Sequence, residues 1–158
     1  AYERGRGCVI AVNKWDLTKA HGITIEDIER QVKDKFKFLD FAPVMVLSVK
    51  TGRGVDKLLP RVELICAEYV RSIPTVRLNE CLERAVAKNP ISSYRGKFVK
   101  MFYSVQIKNR PPTFKCFINY PQGIHFSYER YLINSLREMF GFSGTPVRLV
   151  FSGKSERV

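Results

Sequence analysis

No stretch of this 158-residue chain stays apolar for the ~18–20 residues a membrane span requires. No membrane partner is expected, and residues 1–7, polar and running straight into a short apolar stretch, have no signal-peptide pattern. The four cysteines, Cys8, Cys66, Cys81 and Cys116, form no C-x-x-C pair, so neither a zinc ribbon nor a dithiol redox site is expected. Reduced, partly buried thiols in a cytoplasmic protein are the natural reading. Histidine is scarce. His125 reads as packed and hydrogen-bonded beside Phe126, and His21 as a solvent-facing loop residue. With no Cys or carboxylate at ligand spacing they predict no metal site, and no nucleophile–base pair is legible. A phosphate-binding G-x-x-x-x-G-K-[ST] loop is absent too. Gly153-Lys154-Ser155 imitates its end, but Arg148 stands where the first glycine belongs, and three residues cannot supply the following helix. There is no D-x-x-G switch motif.

Acidic residues are few: 15 Asp+Glu against 27 Lys+Arg, for a net +12. Residues 1–74 carry 13 basic and 10 acidic side chains (+3), and residues 75–158 carry 14 and 5 (+9). A basic half suits a polyanion, of which RNA is the commonest for a compact cytosolic domain; solubility alone is the plainer explanation. Hydrophobic content of 45% supports a core and excludes a disordered tail.

The first half alternates strand and helix. Residues 7–12 have the length of a buried strand. Ile25, Ile28, Val32, Phe36 and Leu39 then repeat at helical spacing, with Thr24 and Asp27 as an N-terminal start signal. After Pro43, residues 44–47 read as a second strand, and Val55, Leu58, Val62, Ile65 and Tyr69 as a second amphipathic helix. Such an order implies parallel pairing, and in parallel sheets ligands bind at loops after the strands' carboxyl ends.

Both polar loops sit there. Asn13-Lys14-Trp15-Asp16 matches the N-K-x-D motif of GTP-binding domains, and Ser48-Val49-Lys50 resembles the S-A-K loop that accompanies it. Guanine presents N1–H and its exocyclic amine side by side, and one Asp16 carboxylate can accept both. Adenine has an acceptor at N1 and no C2 amine, and a buried group left unpaired is what rejects it. Asn13 can bond the other edge of the base and tie the loops together. The aliphatic stems of Lys14 and Lys50 can sandwich the ring while their ammonium heads stay wet. Val49 replaces the usual alanine; the contact expected there is its backbone N–H to guanine O6. The competing reading is that Asn and Asp end a strand and cap the next helix. With no phosphate loop, the chain reads as the base-recognition end of a GTPase domain, without its catalytic end.

Residues 72–77 read as a linker, and residues 78–158 as a separate basic unit of order α-β-β-α-β. Leu78, Leu82, Ala85 and Val86 mark a helix ended by Asn89-Pro90. Val99, Met101, Tyr103, Val105 and Ile107 alternate with Lys100, Phe102, Ser104, Gln106 and Lys108 along a strand, the first set predicted to face the core. After Pro111-Pro112, Phe114, Cys116 and Ile118 alternate with Lys115, Phe117 and Asn119. Tyr128, Tyr131, Leu132, Ser135, Leu136 and Met139 define a helix with Gly141 as a left-handed cap, and Val147, Leu149 and Phe151 a last strand. The simplest packing is a three-stranded sheet with both helices on one face.

The whole chain resembles the C-terminal portion of the Der/EngA family, bacterial GTPases with two tandem GTPase domains and a KH-like domain. The matching stretches include Val9-Ile10-Ala11-Val12-Asn13-Lys14-Trp15-Asp16-Leu17, Ser48-Val49-Lys50-Thr51-Gly52-Arg53-Gly54, Pro111-Pro112-Thr113-Phe114, His125-Phe126-Ser127-Tyr128 with Arg130-Tyr131-Leu132, and Gly144-Thr145-Pro146-Val147-Arg148-Leu149. The resemblance implies an α/β architecture: residues 1–71 as the end of a partial, Ras-like P-loop GTPase domain with a parallel sheet, then an α+β KH-like domain. It also implies GTP or GDP as ligand, Mg²⁺ in the intact parent only, a role in large-subunit ribosome assembly, and ribosomal RNA and the other GTPase domains as partners. The alternative is a stand-alone RNA- or protein-binding module with an incomplete nucleotide site.

RNA-binding KH domains clamp the backbone with a Gly-x-x-Gly loop between helices. Gly141-Phe142-Ser143-Gly144 has those letters between a helix and a strand, without positive charge, and reads as a cap and turn. RNA contact would then rest on the polar sheet face, where Lys100, Lys108, Lys115 and Arg148 are expected to interleave with Phe102 and Phe117. The same mixture suits docking against another domain.

Overall fold

The computed structural model describes residues 4–18 and 22–153; His21 and the Lys154-Ser155 pair lie outside them. Two compact units are present: Ala1–Tyr69 with Phe142–Pro146, and Val70–Gly141 with Val147–Val158. Among the described residues, no helix is long and apolar enough to cross a membrane.

In the first unit, strands β1 (Ile10–Val12) and β2 (Val44–Val46) pair in parallel, Ile10 opposite Val44 and Val12 opposite Val46. Helix α1 (Ile25–Lys35) connects them. Its start is a reciprocal capping box: the Asp27 N–H donates to Thr24 Oγ1 (3.1 Å), and the Thr24 N–H donates to Asp27 Oδ2 (3.2 Å). The apolar repeat runs on to Leu39, but the helix stops at Lys35. Phe36 leaves helical geometry (φ −117°, ψ 52°), and Lys37–Leu39 form a 3-10 turn. Helix α2 (Leu58–Tyr69) likewise starts later than its first apolar residue, Val55. Turns precede it, with Gly52 and Gly54 both at φ 75°. A Cβ on Gly54 would lie 2.9 Å from the Val46 carbonyl oxygen, so only glycine lets this turn close on β2.

Residues 142–146 complete this unit. Phe142 is fully buried, and its N–H donates to Glu68 Oε2 (2.7 Å). Cys8 donates its N–H to the Gly144 carbonyl (2.8 Å), and Gly144 donates its own to Phe41 O (2.9 Å). A Cβ on Gly144 would fall 2.5 Å from Ile65 Cγ1. The Gly-x-x-Gly letters are therefore a packing plug: burying Phe142 alone is worth roughly 1.5–3 kcal/mol.

The second unit runs α3 (Thr75–Lys88), β3 (Met101–Asn109), β4 (Pro112–Ile118), α4 (Phe126–Phe140), β5 (Arg148–Ser152). Its sheet has the order β3-β4-β5, antiparallel then parallel. Helix α3 begins at Thr75, within the stretch read as a linker, because Pro74 supplies a pre-set φ (−57°) just ahead of the first turn. The backbone before it is anchored: Gln106 donates from Nε2 to Arg71 O (2.9 Å) and accepts the Ile73 N–H at Oε1 (2.7 Å). Phe114, Cys116 and Ile118 are fully buried, as are Leu78, Leu132 and Leu136. Two tyrosines on α4 donate to carbonyls at the end of α3; Ala85 O also accepts the Asn89 N–H (3.0 Å), so its tyrosine is a second donor. Tyr131 donates to Ala85 O (2.8 Å) and Tyr128 to Asn89 O (2.6 Å). Burial pushes the Tyr128 hydroxyl up to about 12. His125 is exposed rather than packed. It caps α4, its Nδ1 accepting the Ser127 N–H (3.4 Å), with its ring against Phe126. Gly141 ends α4 at φ 91°, ψ −99°, a conformation open to glycine but outside the left-handed helical well.

The predicted alternation of β3 fails in its central part. Register irregularities between Met101 and Tyr103 and between Gln106 and Lys108 shift which residues face the core. Ser104 is fully buried, whereas Tyr103 and Ile107 are 45% and 44% exposed. On the outward edge of β3, Asn79 of α3 stands in for a missing neighbour strand. Its Oδ1 accepts the Ser104 N–H (2.8 Å), and its Nδ2 donates to Ser104 O (2.9 Å) and Thr75 O (2.7 Å).

Candidate functional site

The two polar loops leave the carboxyl ends of β1 and β2 and are bonded to each other. Backbone bonds set the frame: Leu47 N–H to Val12 O (2.9 Å), and Trp15 N–H to Leu47 O (3.1 Å). Lys14 takes a left-handed conformation (φ 65°, ψ 34°) that turns the first loop, and its N–H donates to Asn13 Oδ1 (2.8 Å). The same Oδ1 accepts the Val49 N–H from the second loop (3.1 Å). Ser48, 1% exposed, donates its hydroxyl to Asp16 Oδ1 (2.6 Å) and accepts the Thr51 N–H (3.3 Å). Ser48 thus braces the carboxylate and shapes its own loop.

This bonding fixes the charge of the site. The Ser48 hydroxyl, foremost, holds the Asp16 carboxyl below the usual carboxylate range; its own backbone N–H and the Lys50 and Lys14 ammonium groups add to the effect. At neutral pH Asp16 is an ionised acceptor flanked by two lysines. Asn13, Lys14, Asp16, Ser48, Val49 and Lys50 are brought to one end of the β1–β2 sheet. The Val49 N–H, expected to be open for a ligand, already has Asn13 Oδ1 as acceptor. Sequence reasoning gave no role to Trp15, the wildcard position of its motif. It is buried under the loop, and its Nε1 has no hydrogen-bond partner among the described residues. Its size and apolarity were the available signal.

The expected basic and aromatic sheet face is assembled differently. Lys115 and Phe117 share one face of the sheet with Arg148 of β5, by the pairings Thr113–Arg148 and Lys115–Val150. Lys108 is opposite Thr113 on the other side. Phe102 does not join them, because the irregularity beside it substitutes Tyr103, which pairs with Phe117. Phe102 instead lines a groove with Asn79, Leu82 and Val86 of α3. Phe117 is 3% exposed, stacked on Tyr103 (centroids 4.4 Å apart) with Lys115 Nζ 5.1 Å from its centroid, so its ring has no free face to offer a base. Lys100 precedes the strand, its N–H held by Asn119 Oδ1 (2.8 Å).

Comparison with known proteins agrees with this architecture. Residues 72–152 match the family described as the KH-domain-like, C-terminal part of EngA bacterial GTPase enzymes. The chain is 43% identical over 150 residues to the GTPase Der of Geobacillus thermodenitrificans, covering 95% of this chain and 34% of that protein. It is 40% identical over 157 residues to the GTPase Der of Citrifermentans bemidjiense (99% and 36%), and 42% identical over 158 residues to that of Geotalea uraniireducens (99% and 36%). It spans about a third of the length of these relatives. Matched across its KH-like unit by the family model and almost throughout by these relatives, the chain belongs to the Der/EngA family and corresponds to its C-terminal region.

Proposed function

We propose that this chain is the C-terminal part of a GTP-binding, GTP-hydrolysing enzyme that acts in assembly of the large ribosomal subunit. In this reading residues 1–71 are the guanine-recognising end of a Ras-like P-loop GTPase domain, and residues 78–158 its KH-like domain. The observation that carries it is the 2.6 Å bond from Ser48 to Asp16 across 32 residues of chain. It orients an ionised carboxylate, the group that distinguishes guanine from adenine by accepting two adjacent donors. Lys14 and Lys50 cover the ring, and Asn13 takes its other edge. For the Val49 N–H to reach guanine O6, it exchanges Asn13 Oδ1 for the base, so nucleotide entry rearranges one loop bond. GTP or GDP is the ligand, with Mg²⁺ and the phosphates held by parts of the longer protein. The 158-residue chain alone is therefore inert and binds GTP weakly, because phosphate contacts supply most of the affinity in such sites.

Lys108, Lys115 and Arg148 are assigned to contact with another domain of the longer protein rather than to RNA, because Phe117 is already stacked and buried. The test of the nucleotide reading is Asp16→Asn in the full-length protein. The asparagine NH₂ can donate to the 2-oxo group of xanthine, so preference should move from GTP toward XTP. Unchanged discrimination would refute the guanine assignment, and tight Mg²⁺-dependent GTP binding by the 158-residue chain would refute its inertness.

A further inference from the structure

We propose that the tight turn carrying Arg95, Gly96 and Lys97, with Phe98 and Lys100 beside it, is the surface through which the second unit binds single-stranded RNA. The proposal rests on the ribosomal reading for its RNA partner, and not on the guanine loops.

Charge is the first support. Between Glu83 and Glu129 the chain has no Asp or Glu, while Arg84, Lys88, Arg95, Lys97, Lys100, Lys108, Arg110 and Lys115 all fall there. The turn sits within this stretch, so its complement is a polyanion.

Geometry is the second. Tyr94 and Lys97 exchange both backbone bonds, each 2.9 Å, closing a two-residue turn with Arg95 at φ 50° and Gly96 at φ 74°. Positive φ at both central residues favours Asn-Gly, and arginine at the first is strained. Strain of this kind is retained where a side chain is needed for another purpose. The cations are held in place: Arg95 Cζ lies 5.3 Å from the Tyr94 centroid and Lys97 Nζ 5.6 Å from that of Tyr120. A guanidinium stacked on a ring keeps its edge N–H groups for paired bonds to phosphate. The base of the turn is fixed. Asn119 donates to Phe98 O (2.9 Å) and accepts the Lys100 N–H (2.8 Å). Gly123 lets Tyr94 approach so closely that an added Cβ would lie 2.8 Å from Tyr94 Cβ. Next to Lys97 in the sequence, Phe98 is 73% exposed among the described residues, an apolar ring largely open to solvent. Cations on a rigid turn with an open aromatic face match the combination that holds unpaired RNA, phosphates on the cations and a base on the ring.

The experiment is fluorescence anisotropy of the 158-residue chain with a labelled single-stranded RNA of about 12 nucleotides across a salt titration. The variant Arg95→Ala/Lys97→Ala/Lys100→Ala should lose affinity about 100-fold at about 0.1 M salt and flatten the log–log salt slope by about 2, at about 0.7 per phosphate contact. Removing the same charges at Lys33, Lys35 and Lys37 of the first unit is the control and should cost about threefold or less. Arg95→Asn separates binding from folding: it should raise the melting temperature, since Asn suits a positive φ, while weakening RNA about fivefold. Equal losses in the control would reduce the effect to bulk charge and overturn the proposal. Unchanged RNA affinity, coupled with loss of co-sedimentation with ribosomal particles, would put a protein in the place of RNA and also overturn it. If the wild type binds no RNA at all, the proposal fails for this chain, while the guanine reading, which rests on other residues, stands.

Discussion

Replacing Asn79 with alanine should unfold the second unit from its sheet edge. The side chain makes two bonds to the backbone of Ser104, at 2.8 and 2.9 Å, and Ser104 has no solvent exposure. A buried backbone group left without a partner costs about 1–3 kcal/mol. Asn79 is itself half-buried, so water can enter the space it leaves and recover part of the loss. A working figure is therefore about 3 kcal/mol for the pair, the lower half of the summed range. For a domain of this size that lowers the melting temperature by about 12–24 °C. Trp15, the one tryptophan, lies in the first unit, so its fluorescence does not report this transition. Far-UV circular dichroism, with hydrogen exchange of the Ser104 amide as the local probe, does. Asn79→Asp sharpens the test. Its carboxylate keeps the acceptor for the Ser104 N–H but faces the Ser104 carbonyl without a donor, so it should be as destabilised as alanine at neutral pH and recover in acid as the carboxyl protonates. The exposed edge should also self-associate as concentration rises. An Asn79→Ala protein within about 0.5 kcal/mol of the wild type, with Ser104 exchange unchanged, would refute the edge-closing role.

Thiol and carboxyl chemistry give two further checks. Burial pushes the Cys116 thiol up to about 11 and raises Cys81 and Cys8, while Cys66 is exposed. A thiol reagent at neutral pH should therefore modify Cys66 first and Cys116 only on unfolding; comparable native rates at both would contradict the packing around β4. Burial also raises the Glu129 carboxyl above its ordinary range. The folded state then holds this proton more tightly than the unfolded chain, so its contribution is favourable below the unfolded value of about 4.3 and is lost as pH rises through the raised folded one. Glu129→Gln should consequently be more stable than wild type at pH 7 to 8, with the difference vanishing in acid. A variant less stable than wild type at neutral pH would contradict this.

The sequence by itself determined the features that depend on local residue chemistry. Asn13, Asp16, Ser48 and Lys50 were legible as a set, because a donor-and-acceptor pattern at loop ends is a matter of residue type and spacing. Thr24 and Asp27 announced α1 because a capping box spans one turn. Leu78, Leu82, Leu132 and Leu136 were legible as core because they recur at helical spacing on one face of α3 and of α4, and all four are buried. Tertiary structure alone decided what depends on partners distant in sequence. The side of the sheet that Phe102 and Tyr103 occupy follows from backbone irregularities in β3, which no residue type marks, and one such shift exchanges the two faces. The brace from Ser48 to Asp16 exists because β1 and β2 pair in parallel and bring two loop ends together. Phe142 and Gly144 left the surface for the first unit because Ile65, Cys8 and Phe41 offer a contact that only a residue without Cβ can make. Local chemistry is written in neighbouring residues; register, edge closure and close approach arise only when separate segments meet.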